Sequence, residues 1–131
     1  MQVELVSPER VTFTGTANRV RVRTVGGGEL EFLEGHTPLI GVLQVSAAKI
    51  TDGDDVHVFA IHQGFVQVSG EKVTILSDVS EAKEDIDVAR AEAAKSAAAT
   101  AVAADSEDVE AQAALRRAEI RLGVASGALP A

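Results

Sequence analysis

The fold that this 131-residue sequence predicts is of the β + α class: an N-terminal antiparallel β-sandwich or flattened barrel, then a C-terminal antiparallel two-helix hairpin. Two observations predict it. Up to about Asp78, apolar residues recur with period two and turn signals punctuate the chain roughly every ten residues, the pattern of many short strands. Beyond about Ser80, glycine vanishes until Gly123 and alanine takes over, the composition of a helix. The switch divides the chain into two domains, 1–80 and 81–131.

Within the first domain, Val20 and Val22 alternate with Arg19, Arg21 and Arg23, Leu30 and Phe32 with Glu29 and Glu31, and Val66 and Val68 flank Gln67. Such alternation gives each strand one buried and one wet face. Val73-Thr74-Ile75-Leu76 is more uniformly apolar and is expected to lie deeper. Gly26-Gly27-Gly28 reads as a hairpin turn and Asp52-Gly53-Asp54 as a solvated hairpin tip. In the second domain Asp85 is the expected cap of a helix running through Asp87, Arg90, Ala93 and Ala97 to about Ala104. Asp105-Ser106-Glu107-Asp108 breaks the run and caps a second helix. Ala111, Leu115, Ala118, Leu122 and Ala125 form its apolar face, and it is expected to fray after Gly123 or Gly127. The first helix has few large apolar residues beyond Ile86, Val88 and Val102, so the hairpin is expected to be held weakly.

Composition excludes several functions. A net charge of −8 argues against nucleic-acid binding, and four Phe with no Tyr or Trp leave little to stack bases on. The absence of cysteine removes thiolate chemistry and sulfur-ligated zinc. No run is long and apolar enough to span a bilayer, and Met1-Gln2-Val3-Glu4 is not expected to open a signal peptide or an Arg-rich presequence. No catalytic residue is found: the serines form no nucleophile elbow, and Gly26-Gly27-Gly28 lacks the lysine and helix of a phosphate loop. His36, His57 and His62 lack metal-ligand spacing, and Asp52, Asp54 and Asp55 do not have the spacing of a calcium loop, so no metal is assigned. His57 and His62 fall on opposite sides of the alternation, one pointing inward and the other to solvent.

Three segments carry a family resemblance. They are Gly28-Glu29-Leu30-Glu31-Phe32-Leu33-Glu34-Gly35-His36-Thr37-Pro38-Leu39, Gly64-Phe65-Val66-Gln67-Val68, and Val73-Thr74-Ile75-Leu76-Ser77-Asp78. In this order, before an alanine-rich helical tail, they resemble the epsilon subunits of rotary F-type ATP synthases, whose mitochondrial equivalent is the delta subunit. The resemblance runs from Leu5-Val6-Ser7-Pro8 to Arg121-Leu122. It implies a non-catalytic central-stalk rotor subunit that couples proton flow to ATP synthesis. The implied partners are the gamma subunit, the c-ring and, through the C-terminal helices, the alpha/beta catalytic hexamer. The implied location is the cytoplasmic face of a bacterial plasma membrane, held there peripherally through those partners.

Residue by residue, the resemblance makes Glu29 and His36 c-ring contacts. The family pattern Gly-Glu-Leu-Gly-Ile-Leu-Pro-Gly-His is altered by Glu31 and Glu34, so a more acidic loop and a more basic ring partner are expected. Ile86-Asp87-Val88-Ala89-Arg90-Ala91 resembles a motif with which some bacterial epsilon subunits bind ATP. With Glu81, Arg117 and Arg121 it implies a site for Glu81, Ile86, Asp87, Arg90, Ala91, Arg117 and Arg121 between the two helices. Arg117 and Arg121 lie one turn apart, an arrangement suited to a polyanion. An arginine expected after Arg90 is replaced by Ala97, so binding is expected to be weak; no obligatory cofactor is implied beyond this regulatory ATP. On the residues alone, Asp87 and Arg90 form an ordinary surface pair. Inhibition of ATP hydrolysis is expected to be modest, because the second helix offers only Arg116, Arg117 and Arg121, and Ser126-Gly127-Ala128-Leu129-Pro130-Ala131 is neutral and helix-breaking. The rival readings are a stand-alone ligand-binding β-sandwich module and a small hydrolase.

Overall fold

The structure, a computed structural model, describes residues 1–127. Ten strands come first: β1 (Gln2–Ser7), β2 (Arg10–Thr16), β3 (Arg19–Thr24), β4 (Gly28–Leu33), β5 (Leu39–Leu43), β6 (Ser46–Asp52), β7 (Asp55–Ile61), β8 (Gly64–Ser69), β9 (Lys72–Ser77) and β10 (Ser80–Ala82). Two helices follow, α1 (Val88–Ala104) and α2 (Val109–Ser126). The strands pair in the order β10-β7-β6-β3-β5-β8-β9-β1-β2, with β4 beside β3. All pairs are antiparallel except β1 with β9. The path is nearly closed. β3 and β5 meet only at Thr24 and Leu43, and Thr12 Oγ1 and Ser80 Oγ, 2.8 Å apart, bring its two ends together.

Closure follows from the alternation. Val20, Val22 and Phe32 face inward from β3 and β4, Val66 and Val68 from β8, and Val73 and Ile75 from β9. The core is aliphatic, with Phe32 and Phe59 as its buried rings. Alternation also holds in β9, contrary to the expectation of uniform depth. Val73 and Ile75 are buried, but Leu76 is 45% exposed, because its neighbours Phe65 and Val6 lie on the same outer face.

Alternation fails in one place for a physical reason. Ser46-Ala47-Ala48 in β6 and Phe59-Ala60-Ile61 in β7 are buried on both faces. Ala47 and Ala60 pair across the two strands and point outward, under α2. The small side chains let the helix approach. Ile86 and Val124 complete this second apolar cluster, flanked by Val58, Ile120 and Ala125. Val124 is the only large side chain of the two helices that is fully buried among the described residues, a contribution of about 2 kcal/mol. α1 buries only Ala91 and Ala98, and it packs on α2. The helices are folded down against the strands.

The first helix starts later than expected. Asp85 belongs to a 3-10 turn, Lys83–Asp85, and Ile86 is extended so that its side chain drops into the apolar cluster. Asp87 is therefore the cap, accepting a hydrogen bond from the Arg90 backbone N–H at 3.1 Å. Asp108 caps α2 in the same way, accepting from the Ala111 N–H. α2 continues through Gly123 and ends at Gly127 in the left-handed conformation. Of the neutral C-terminal segment, residues 128–131 lie outside the described residues.

Candidate functional site

Three surfaces carry candidate functional side chains. The first is the β3–β4 hairpin. Its register sets Arg23 opposite Glu29 and Arg21 opposite Glu31. The side chains make a ladder: Arg19 to Glu31 at 2.7 Å, Arg21 to Glu31 at 3.4 Å and to Glu29 at 3.5 Å, and Arg23 to Glu29 at 3.2 Å. Glu29 is thus displayed at the surface but already paired. His36 lies beyond the far end of β4, half-buried, its ring edge-on to Phe32 at 4.9 Å; its Nδ1–H donates to the Thr37 carbonyl at 2.6 Å. The run from Glu29 to Leu33 is about 13 Å of strand, so the two residues mark opposite ends of β4. The added carboxylates do not leave an unbalanced acidic loop. Glu31 is held by two arginines, and Glu34 lies 3.1 Å from the Met1 amino group. The cross-strand pairing was legible in the alternating Arg and Glu runs on either side of the glycine turn.

The second surface is the outer face of β5, β8, β9, β1 and β2. In register across it stand Val42 opposite Phe65, Phe65 opposite Leu76, Leu76 opposite Val6, and Val6 opposite Val11. Val42, Phe65, Leu76 and Val11 are each about half exposed, and Val25 and Ile40 extend the patch. It borders an open groove of about 810 Å³ whose rim includes Ala113 and Arg116 of α2. Arg116 donates to Gln44 Oε1 at 3.2 Å and so ties the helix to that rim. A contiguous apolar patch of this kind marks a contact surface. Sequence reasoning missed it because it assigned Leu76 to the interior.

The third is a clasp between strands and helix. Arg121 Nε donates to Glu81 Oε1 at 2.6 Å, linking α2 to β10. Beneath them His62 is buried, as the alternation predicted for one of the pair; His57 is exposed and packs on Phe13. His62 Nε2 lies 3.2 Å from the same Glu81 oxygen but off the line of a hydrogen bond. Burial, then Arg121, hold the His62 pKa below its ordinary 6.5, while Glu81 opposes the shift. The residues expected to bind ATP are only partly assembled. Glu81 and Arg121 meet, Ile86 and Ala91 are buried, and Arg117 is turned to Glu110 at 3.0 Å. Asp87 is occupied as a cap, and Arg90 is exposed at the start of α1. A cleft of about 410 Å³ does open between the helices, but Val88, Glu92, Lys95, Glu119 and Leu122 line it in place of the arginines.

This architecture has known relatives. The family description "ATP synthase, Delta/Epsilon chain, beta-sandwich domain" matches residues 1–83, and "ATP synthase, Delta/Epsilon chain, long alpha-helix domain" matches residues 84–126. An ATP synthase epsilon chain from Halalkalibacterium halodurans is 39% identical over 129 residues, covering 95% of this chain and 96% of its own. One from Brevibacillus brevis is 43% identical over 96 residues, 72% of each chain. The chain belongs to the delta/epsilon family of ATP synthase subunits. It is therefore a subunit of that enzyme complex and not a free-standing binding module. Two solved structures share the fold. In the mitochondrial ATP synthase of Euglena gracilis (OSCP/F1/c-ring) a chain matches at 22% identity and a TM-score of 0.80, covering 95% of this chain and 79% of that one. In the central stalk and c-ring of the Tetrahymena thermophila enzyme the values are 15% and 0.58, with 97% and 94% covered.

Proposed function

We propose that this chain is the non-catalytic central-stalk adaptor of a proton-translocating ATP synthase, clamped to the gamma subunit and seated on the c-ring at the cytoplasmic face of the membrane. The apolar stripe Val42–Phe65–Leu76–Val6–Val11 carries the reading. Torque passes between subunits only through a firm contact, and this stripe is a contiguous apolar surface whose outer members are about half exposed. Gamma docks there. Glu29 and His36 meet the polar loops of the ring, at opposite ends of β4. No helix among the described residues is long and apolar enough to cross a membrane, so attachment runs through these partners.

The experiment is co-purification. Phe65→Asp combined with Leu76→Asp places two charges in the stripe without touching the core. The doubly substituted chain is expected to keep its β-sheet circular dichroism and to lose gamma; retention of gamma at unchanged yield overturns the assignment.

The helical hairpin is the regulatory arm. Detached, it reaches the alpha/beta hexamer and restrains hydrolysis modestly. Folded down, it is the form to which ATP binds weakly through Arg90, Arg117, Arg121 and Glu81, and differential affinity for that form shifts the population toward it. Titration calorimetry with MgATP tests this: heat is expected near millimolar nucleotide and is expected to vanish in Arg90→Ala.

A further inference from the structure

His62 differs from the other two histidines in being sealed, with its side chain 5% exposed at the junction of β7 and β8. Its lid is α2. The charged groups that face it are Glu81 from β10, and Arg121 and Arg117 from α2. Neither ring nitrogen makes a hydrogen bond among the described residues. A neutral imidazole tolerates this setting; an imidazolium would sit dehydrated near the Arg121 guanidinium, with Arg117 adding a smaller repulsion and the Glu81 carboxylate opposing both. That carboxylate is already engaged, because the Glu81 oxygen nearest His62 is the one that holds Arg121. A protonated His62 would therefore share one carboxylate with Arg121, two cations drawn to the same negative charge. Both arginines come with the docked helix. When α2 lifts away, His62 loses the opposing charges.

We propose that His62 is a proton-operated latch, with the neutral imidazole permitting the hairpin to dock on the strands and the protonated imidazole driving it off. The sign follows from linkage. The docked pKa lies below the ordinary 6.5, so docking is at full strength above that value. As the pH falls through 6.5, the undocked form takes up the proton first, and docking weakens until the lower, docked value is passed. Each unit of separation between the two values changes the docked-to-undocked ratio about tenfold. The latch goes beyond the stalk reading and is a property of the free chain, so its failure leaves gamma and ring docking untouched.

The chain has no cysteine, so two can be introduced for dyes, Asp54→Cys at the β6–β7 tip and Ser106→Cys between the helices. Energy transfer between them is expected to change reversibly from about pH 8 to about pH 5 while the β-sheet signal holds. The change is expected to persist in His57→Gln and to disappear in His62→Gln. A flat response, or one surviving in His62→Gln, overturns the proposal. If His62→Gln does not fold, NMR of the unsubstituted chain decides. The His62 ring titrating below 6.5, together with loss of Val124 amide protection, supports the latch; titration at or above 6.5 overturns it.

Discussion

Individual residues show how little freedom the turn after β7 has. Gln63 adopts a positive φ of 69°, and Gly64 follows with φ 152°. A Cβ on Gly64 would stand 1.9 Å from the Leu76 carbonyl oxygen, a backbone atom that cannot rotate away. Gly64→Ala is accordingly expected to cost about 3 kcal/mol or more, read as a lowered urea midpoint. The glycine was visible in the sequence as a turn signal; the close approach of β9 that makes it obligatory was not. Asp87 teaches a similar lesson. Asp85 and Asp87 are equally good caps by residue type, and what decides between them is Ile86, which needs an extended backbone to reach Ala47, Ala60 and Val124. A tertiary contact two residues away set the helix start. Alternation set His57 and His62 on opposite faces without saying which is buried; the structure buries His62, and its arginine neighbours come from α2, which no local pattern announces.

At the scale of elements, strands were easier to read than the surfaces between them. Period two located β3, β4 and β8 directly, and the glycine and aspartate turns placed their hairpins. The transverse stripe was hidden because each of its members comes from a different strand and only the register aligns them. The docking site of α2 left a faint trace in the sequence, where Ser46-Ala47-Ala48 and Phe59-Ala60-Ile61 interrupt the alternation. Because one fully buried valine anchors the hairpin, Val124→Ala is expected to weaken docking by about 1–2 kcal/mol. Hydrogen exchange should then accelerate in α2 while β-core amides stay protected. The caps act separately: Asp108→Ala is expected to cost about 1 kcal/mol of α2 stability, seen as reduced helical ellipticity on warming.

The molecule as a whole is a closed aliphatic core with an arm laid over one side. The main apolar cluster contains no residue of α1 or α2. A chain ending at Asp87, which retains β10, is therefore expected to unfold cooperatively with its midpoint only slightly lowered; a molten, dye-binding product would contradict that division. In the assembled enzyme the same truncation is expected to leave ATP synthesis largely intact and to raise hydrolysis modestly. The overall architecture was legible because its two halves differ in period and composition, which depend on sequence alone. The state of the arm was not legible, because it rests on a few contacts between distant segments.

α1 touches α2 and almost nothing else, and this gives the arm its mechanical character. Once the single anchored helix lets go, the other has no mooring of its own and travels with it. Laid end to end, helices of 17 and 18 residues span about 50 Å at 1.5 Å per residue. A proton or a nucleotide acting within one small contact would thus command a lever several times longer than the contact itself.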